Sequence, residues 1–304
     1  MTFVVIILLL VCIGLPLVYT ARVWRLNEPS RFDWLIVAAE AVTFVTLVFL
    51  IGRWDIAGYY LRPILAVLFL ASLIWSLRRH ASRPWRSVGL WRRRWHDLLA
   101  LAFFGATLIY VISGLRHSTE ARTLAFPLLH ERGFIGQGGG ITLLNHHASH
   151  PEQRHALDIT ALNLTGFRAT GPLPTRFEDY EIWGVPVISP CDGAVVISRS
   201  DLPDHVPPQA DPKNPAGNHV TVDCGDFRVE LAHLKRGSVA VRRGQRVKVA
   251  EPIGQVGNSG NTTEPHLHVH AYDENTRLGL PISFDGSTPF RNRVYTGNSS
   301  AIIR

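Results

Sequence analysis

Four apolar stretches in the first 115 residues constrain this chain more than any other feature. Residues 3–19, 34–52, 59–77 and 98–115 are dominated by Leu, Ile, Val, Phe and Ala. Each approaches the roughly 20 residues that a helix needs to cross the apolar core of a lipid bilayer. The sequence therefore predicts an all-α bundle of four transmembrane helices over residues 1–115, surrounded by membrane lipid.

The first stretch has an alternative interpretation as a secretory signal peptide. It lacks a basic segment before the apolar run and a small-residue cleavage site, and further apolar spans follow, so an anchor is favoured. Glu40 lies inside the second stretch, where a charge is costly, and is expected to face a neighbouring helix or the membrane interface. Arg62, in the third stretch, is expected to extend its charged end to the membrane boundary.

The charge distribution predicts the orientation. Residues 1–115 contain 12 Arg and 5 acidic residues, and seven of the Arg lie in the loop 78–97. Positively charged loops stay in the cytoplasm, so everything after the fourth span is expected outside it. Residues 116–304 contain 19 basic and 19 acidic residues and carry no net charge. An anionic-lipid or nucleic-acid patch on the Arg loop is the rival interpretation, but nothing supports nucleic-acid binding by the C-terminal part.

The C-terminal part reads as β-rich. Residues 116–140 are expected to form a connector with a flexible glycine-rich end, 141–290 a folded domain and 291–304 a tail. Short β-branched runs alternate with turn residues and predict a β-sandwich or a partly open antiparallel sheet. The predicted strands are Ala194–Ile197, His219–Val222, Arg228–Leu231, Ser238–Val241 and Arg246–Val249. Cys191 and Cys224 form a disulfide if this part lies outside the cytosol; the alternative is two thiols.

Three imidazoles alternate along the stretch from His266 to His270. In a β-strand, His266, His268 and His270 share one face, while Leu267 and Val269 point to the other. A His-rich surface strand is the alternative, but a strand with imidazoles on one side and a core on the other favours a metal site. Imidazole is a common ligand of zinc, which takes three protein ligands and a water in catalytic sites.

Other histidines are grouped upstream. Twelve of the 14 lie after residue 116, including a group from His146 to His155 that precedes Asp158, and His233 between two apolar residues. A domain with no net charge has no solubility need for so many imidazoles, which favours metal binding and acid–base chemistry. His219 is expected only to pack.

Five motifs occur together in the C-terminal part. They are Ser189-Pro-Cys-Asp-Gly193, Gly217-Asn-His-Val220, Ala232-His-Leu234, Val241-Arg-Arg-Gly-Gln-Arg-Val247, and Gly254-Gln-Val-Gly-Asn-Ser-Gly260 leading into Pro265-His-Leu-His268. In this order the sequence resembles the M23 zinc metallopeptidases of the LytM/lysostaphin type over residues 140–285. The four apolar spans lie outside the resemblance.

The resemblance implies a role for each matching residue. Asp158 and His268 match zinc ligands, His266 matches the residue that acts as general base or orients the water, and His233 matches the one that stabilises the oxyanion. The common pattern has a His four residues before the Asp, where this chain has Arg154. His147 is therefore the preferred first ligand. The alternatives are His146, His150 and His155, and His270 is expected to support the site.

The predicted function is an extracytoplasmic zinc endopeptidase in a bacterial cell membrane. By resemblance, its substrate is the peptide part of peptidoglycan. A non-hydrolytic relative that binds peptidoglycan or activates another hydrolase is the alternative, and a membrane sensor or transporter subunit is a third. The sequence points to no particular protein partner.

Overall fold

The apolar N-terminal stretches fold into helices in the computed structural model, which describes residues 2–88, 90–116 and 118–297, with backbone alone at 2 and 90–93. The chain divides into two compact units, Met1–Ser113 and Gly114–Arg304. The helices of the first unit are α1 (Thr2–Leu9), a π-helical turn (Leu10–Gly14), α2 (Leu15–Arg25), α3 (Arg31–Ile51), α4 (Trp54–Ala57), α5 (Leu61–His80) and α6 (Leu90–Ser113).

Four helical segments in the described part of the chain are long and apolar enough to cross a membrane. They are Phe3–Arg25, Arg31–Ile51, Leu61–His80 and Arg94–Ser113. The number of spans agrees with the prediction, and each span overlaps its predicted apolar stretch. The prediction of a helical N-terminal unit followed by a β-rich domain is confirmed.

Glu40, in the middle of α3, faces neighbouring helices as expected. Its side chain is 2% exposed, and it accepts hydrogen bonds from the Tyr19 hydroxyl at 2.7 Å and the Arg22 guanidinium at 2.6 Å. Arg22 also pairs with Asp97 at 2.7 Å. The buried carboxylate is therefore compensated by a cation and a hydroxyl, as a charge away from water requires.

The second unit contains thirteen strands in its described residues. They are β1 (Arg122–Leu124), β2 (Gly133–Gln137), β3 (Leu157–Ala161), β4 (Pro186–Ile188), β5 (Gly193–Arg199), β6 (Asn218–Asp223), β7 (Arg228–Leu234), β8 (Arg246–Val247), β9 (Pro252–Gln255), β10 (Leu267–Tyr272), β11 (Gly279–Leu280), β12 (Ile282–Phe284) and β13 (Val294–Tyr295). One-turn 3-10 helices span His146–Ser149 and Phe177–Asp179.

One open antiparallel sheet carries the fold. Its order is β13-β2-β3-β10-β7-β6-β5-β8, with β11 also paired to β10. A parallel pair (β1 and β12) and an antiparallel pair (β4 and β9) form two small sheets beside it. Of the two predicted β folds, the chain therefore adopts the partly open antiparallel sheet.

Strand β10 lies at the centre of the sheet because its alternation fits both sides. Leu267 and Val269 are fully buried in the core together with Ala271, as predicted from the sequence. His268 and His270 occupy the opposite face of the same strand. Burying three apolar side chains stabilises the strand by several kcal/mol, at about 25 cal/mol per Å² of apolar surface.

Several predicted elements differ from the structure. Residues 116–140 contain β1 and β2, and the predicted tail contains β13, which pairs with β2. Ser238–Val241 forms no strand, because its amides bond singly: Ala240 N donates to Ile253 O at 2.9 Å and Val239 N to Ser200 Oγ at 3.3 Å. Only Arg246–Val247 of the predicted strand 246–249 is extended in the sheet.

The predicted disulfide is present. Cys191 and Cys224 are bonded, with Cα atoms 6.0 Å apart, and close a loop of 33 residues in sequence separation. Both cysteines pack against the main apolar core. The bond therefore joins the turn before β5 to the end of β6.

Candidate metal centre

The centre of the site is formed by two residues on adjacent strands. Strand register places His268 of β10 directly opposite Asp158 of β3. Opposed residues of an antiparallel pair bring their Cβ atoms to about 5 Å. His268 Nδ1 consequently lies 3.0 Å from Asp158 Oδ1. Two candidate ligands 110 residues apart in sequence thus meet through backbone pairing alone.

His147 reaches the same carboxylate from the 3-10 helix that begins at His146. Its Nε2 lies 3.0 Å from Asp158 Oδ1, and the residue is 9% exposed. The fully buried Asn145 caps this helix, accepting from His147 N at 3.2 Å. Its amide donates to Ala156 O at 3.0 Å, which ties the helix to the chain just before β3. Capping thereby holds His147 over the sheet.

The donor set fits a zinc ion. Tetrahedral ligand atoms about 2.0–2.2 Å from zinc lie roughly 3.3–3.5 Å from each other. The distances of 3.0 Å from Asp158 Oδ1 to both His147 and His268 are close to that spacing. His146 Nε2 is 4.0 Å from Asp158 Oδ2 on a side chain that is 60% exposed. One ligand atom each from His146, His147 and Asp158 lies within 4.8 Å of the others, so His146 remains an alternative to His268 or His147.

The remaining candidates for the first ligand lie elsewhere. His150 lines the same cleft as His147 but makes no side-chain hydrogen bond to Asp158 in the described residues. His155 lines a separate cavity of about 70 Å³ beside Leu157. The structure therefore brings together His147, Asp158 and His268, and it places His155 away from them.

His266 immediately precedes β10 and does not belong to it. Its Nδ1 lies 2.9 Å from the carbonyl oxygen of Glu264, to which it donates, and its Nε2 lies 3.5 Å from Asp158 Oδ1. The carbonyl bond determines the tautomer, so Nε2 is the nitrogen that faces the centre. The prediction of three histidines on one strand is thus wrong for His266, because the chain turns into the sheet only at Leu267.

His233 lies beside His266 at the end of β7. The two ring centroids are 4.7 Å apart, and His233 Nδ1 donates to the carbonyl of Ser259 at 2.9 Å. His233 has φ 63°, the left-handed conformation that few residues other than glycine adopt. The pairing of β7 with β6 shifts register between Leu231 and Leu234, so His233 lies in a β-bulge, which re-aims its side chain.

The loop from Gly257 to Gly260 supports His233 through close backbone contact. Gly257 N donates to His233 O at 3.0 Å. A Cβ at Gly257 would lie 2.4 Å from the backbone of Lys235, and one at Gly260, which has φ +90°, would lie 2.5 Å from Gly217 N. Only glycine permits both approaches. These glycines therefore serve to position the imidazole.

His270 contacts His268 on the side away from Asp158. His268 Nε2 lies 3.1 Å from His270 Nδ1, and His270 is 2% exposed. With Nδ1 bound to a metal ion, His268 would carry its proton on Nε2 and donate it to His270. A hydrogen bond of this kind fixes the orientation of a metal-binding imidazole.

Burial and charge act in opposite directions on the ionisable groups. Burial raises the pKa of Asp158, but the His266 charge and hydrogen bonds from His147, His266 and His268 outweigh it and lower that pKa well below its usual range. Burial lowers the pKa of His266, yet Asp158 and Glu264 raise it overall. Asp158 is thus ionised, as a metal ligand must be.

Four other histidines near that carboxylate favour the neutral form, in contrast to His266. Burial, reinforced by neighbouring imidazoles, lowers the pKa of His233 and of His270 well below the usual range. Burial also lowers the pKa of His268, and it lowers that of His146 to about 4. Neutral imidazole is the form that binds zinc or accepts a proton.

A cleft of about 660 Å³ opens over the centre. Its lining includes His147, His233 and His268, together with Glu230 and Arg277, which the sequence interpretation did not single out. The alternation of side chains along β7 could have identified Glu230, since it lies two residues before Ala232 and faces the same side of the sheet. His219 lies on β6, and its Nδ1 bonds to Gly217 O at 2.9 Å.

Residues 179–279 match the family model for peptidase family M23. The chain carries a peptidase M23 domain. The matched range includes His233, His266 and His268, whereas His147 and Asp158 lie upstream of it. The resemblance predicted from the motifs is therefore confirmed over residues 179–279 of the predicted range 140–285.

Curated relatives match parts of this chain. The peptidoglycan DD-endopeptidase ShyA of Vibrio cholerae is 34% identical over 87 residues, which cover 28% of this chain and 17% of that protein. An uncharacterized metalloprotease of Haemophilus influenzae is 34% identical over 148 residues, which cover 47% and 28%. The chain thus spans less than a third of the length of these relatives.

Solved structures also align with parts of this chain. A zinc containing peptidase from Vibrio cholerae is 20% identical, with a TM-score of 0.31, over 56% of this chain and 39% of that chain. The solution structure of lysostaphin is 18% identical, with a TM-score of 0.28, over 48% and 52%.

Proposed function

We propose that this protein is a membrane-anchored zinc endopeptidase that hydrolyses peptide bonds in peptidoglycan stem peptides or cross-links. The observation that carries the proposal is the meeting of His147 and His268 on Asp158, with His233 and His266 beside them. A two-histidine, one-carboxylate set leaves a coordination position for water in catalytic zinc sites. Similarity to the peptidoglycan DD-endopeptidase ShyA supports the substrate class.

Each residue has a distinct task. His147, Asp158 and His268 would hold the ion, and bound zinc supplies Lewis-acid polarisation of the scissile carbonyl and lowers the pKa of a water toward ~7. Nε2 of His266 accepts the proton of the attacking water and passes it to the leaving amine. His233 donates its Nε2–H to the carbonyl oxygen as negative charge develops there, when that nitrogen carries the proton.

The neutral ring of His233 carries one proton, so it can donate a hydrogen bond from only one of its two nitrogens. Its Nδ1 lies 2.9 Å from Ser259 O, and an Nδ1–H donor leaves Nε2 as an acceptor in the neutral ring. Donation to an oxyanion would therefore need a second proton on His233, taken up from solvent against the burial that lowers its pKa.

The decisive experiment uses the full-length protein in detergent with cross-linked muropeptides. Zinc content by elemental analysis and products by mass spectrometry are measured for the wild type, His266→Ala and His268→Ala. We expect about one zinc and peptide cleavage in the wild type, retained zinc without cleavage in His266→Ala, and neither in His268→Ala. Bound zinc with intact muropeptides in every sample would instead favour a non-hydrolytic peptidoglycan-binding protein.

The proposal also places the M23 domain outside the cytoplasm. The Arg-rich loop between the third and fourth spans supports this orientation. Leu164 is 79% exposed in the second unit, and Val88 is 95% exposed in the loop. A membrane-impermeant maleimide should label Leu164→Cys but not Val88→Cys in intact spheroplasts. The reverse labelling pattern would overturn the orientation.

A further inference from the structure

The floor of the cleft extends beyond the metal centre along β7 and β10. His268 pairs with Ala232, and His270 pairs with Glu230, in the register of these strands. Two residues along a strand advance roughly 7 Å, so Glu230 lies about that far from Ala232 on the same face. Both Glu230 and His268 line the same cavity of about 660 Å³. When an extended peptide binds across the metal centre, a residue of that peptide near the scissile bond therefore lies over Glu230.

Glu230 differs from the other charged groups in this lining. Arg277 forms an ion pair with Glu152, and its guanidinium lies over the Tyr272 ring at 4.3 Å. The Glu230 backbone pairs with β6 and β10, but in the described ranges 2–88, 90–116 and 118–297 no residue donates a hydrogen bond to its carboxylate or forms an ion pair with it. Among the described residues that line the cleft, Glu230 is therefore the acidic side chain without a compensating protein cation.

An uncompensated carboxylate on the floor of a cleft favours a cationic ligand. Partial burial weakens its hydration, and a cation brought by the ligand restores the lost interaction. In the described part of the chain, the one group of metal-ligating side chains with all atoms within 4.8 Å comprises His146, His147 and Asp158. Glu230 does not belong to it. A primary ammonium on a peptide side chain suits this isolated carboxylate.

We propose that Glu230 binds the side-chain ammonium of a diamino-acid residue that lies one or two positions from the scissile bond. The inference rests on the proposed peptidase function and adds a substrate preference to it. A peptide chain advances about 3.3 Å per residue when extended, which matches the separation between the metal centre and Glu230. Peptides whose side-chain amine is free should therefore be preferred over those whose amine is blocked.

The test compares two cross-linked stem peptides that differ only in acetylation of the diamino-acid side-chain amine next to the cleaved bond. For full-length wild-type protein, we expect kcat/KM to be 10- to 100-fold higher for the free amine. Glu230→Gln should reduce that ratio to near one while the protein retains its bound zinc. Glu230→Lys should invert the preference when the amine is succinylated.

Glu274→Gln is the matched control. Glu274 is 53% exposed and pairs with Arg228, and it does not line the cleft. This variant should keep the wild-type ratio. A wild-type ratio near one, or a ratio preserved in Glu230→Gln, would overturn the inference even if both peptides are cleaved.

Binding measurements separate this inference from the proposed function. The affinities of the same two peptides are measured with the full-length protein after zinc removal. Binding to this form does not depend on hydrolysis. Tighter binding of the free amine that disappears in Glu230→Gln supports the inference even if the wild type cleaves neither peptide. Equal affinities in the wild type would count against it, whereas absent cleavage alone counts against the peptidase function.

Discussion

Nε2 of His147 lies 3.0 Å from Oδ1 of Asp158, although His147 belongs to a one-turn helix outside the sheet and Asp158 to a central strand. We expect His147→Ala to lose bound zinc and activity together, because two remaining protein ligands hold zinc weakly. His150→Ala is the control, since His150 lines the cleft without contacting Asp158 among the described residues, and it should retain zinc. Full zinc occupancy in His147→Ala, measured by elemental analysis, would move the assignment to His146.

Removal of the His233 imidazole should separate turnover from metal binding. We expect His233→Asn to keep zinc and to lower kcat by about 10²–10³, the usual effect of removing one oxyanion donor. Asn tolerates the left-handed conformation at φ 63° better than most residues, which limits strain in the variant. Loss of zinc in this variant would make His233 a ligand and would refute its assigned role.

His270 should act through His268. Since His270 Nδ1 lies 3.1 Å from His268 Nε2, we expect His270→Ala to weaken zinc binding about 10- to 100-fold. His270→Gln offers an amide oxygen as acceptor and should recover part of the loss. The readout is zinc affinity in a competition titration with a chelator. Equal affinities for wild type and His270→Ala would show that the contact does not orient His268.

The Cys191–Cys224 bond should stabilise the second unit. A closed loop with a sequence separation of 33 residues is expected to contribute about 3 to 4 kcal/mol to the free energy of unfolding. Denaturant unfolding of the full-length protein with and without reductant measures this contribution. The double variant Cys191→Ser/Cys224→Ser should unfold earlier and should no longer respond to reductant. A wild-type midpoint that does not change on reduction would contradict the prediction.

His155 should make stability depend on pH. Burial lowers its pKa to about 4 in the folded protein, with a smaller effect of Arg154 in the same direction. The unfolded chain binds a proton near pH 6.5, so stability falls as pH drops from about 6.5 toward 4.

The His155→Gln variant isolates that dependence. Because His155 is partly exposed, solvent screening limits the effect to roughly 1–2 kcal/mol. Unfolding free energies at pH 4.5 and 7.5 should therefore differ less in the variant than in the wild type. An unchanged difference would show that His155 does not titrate as expected.

Strand alternation and apolar length were readable directly from the sequence. The four apolar stretches contained enough information for four helices, because length and hydropathy alone decide whether a helix can span a bilayer. Likewise, the alternation from Leu267 to His270 separated core from site, because successive side chains point to opposite faces. The motifs around His233 and His268 indicated the family on the same local basis.

The pairing of distant segments was not readable in this way. Short strands such as β2 and β13 lack a clear alternation of their own, and their pairing depends on which neighbours the sheet supplies. Val239 and Val241 likewise show a strand pattern without forming a strand, because the bond from Ala240 N to Ile253 O of β9 does not continue as a ladder. The local sequence pattern indicates which face of a segment is apolar, but a strand forms only when a neighbouring strand pairs with its backbone.

The imidazoles at His266, His268 and His270 show where sequence ends and tertiary structure begins. The sequence by itself determined that His268 and His270 share a face opposite the core, because that follows from backbone geometry. Only the tertiary structure decided that Asp158 pairs with His268 and that His147 reaches both from a capped turn. The pairing of β3 with β10 brings together Asp158 and His268, which are 110 positions apart in sequence, and local sequence preferences do not determine that pairing.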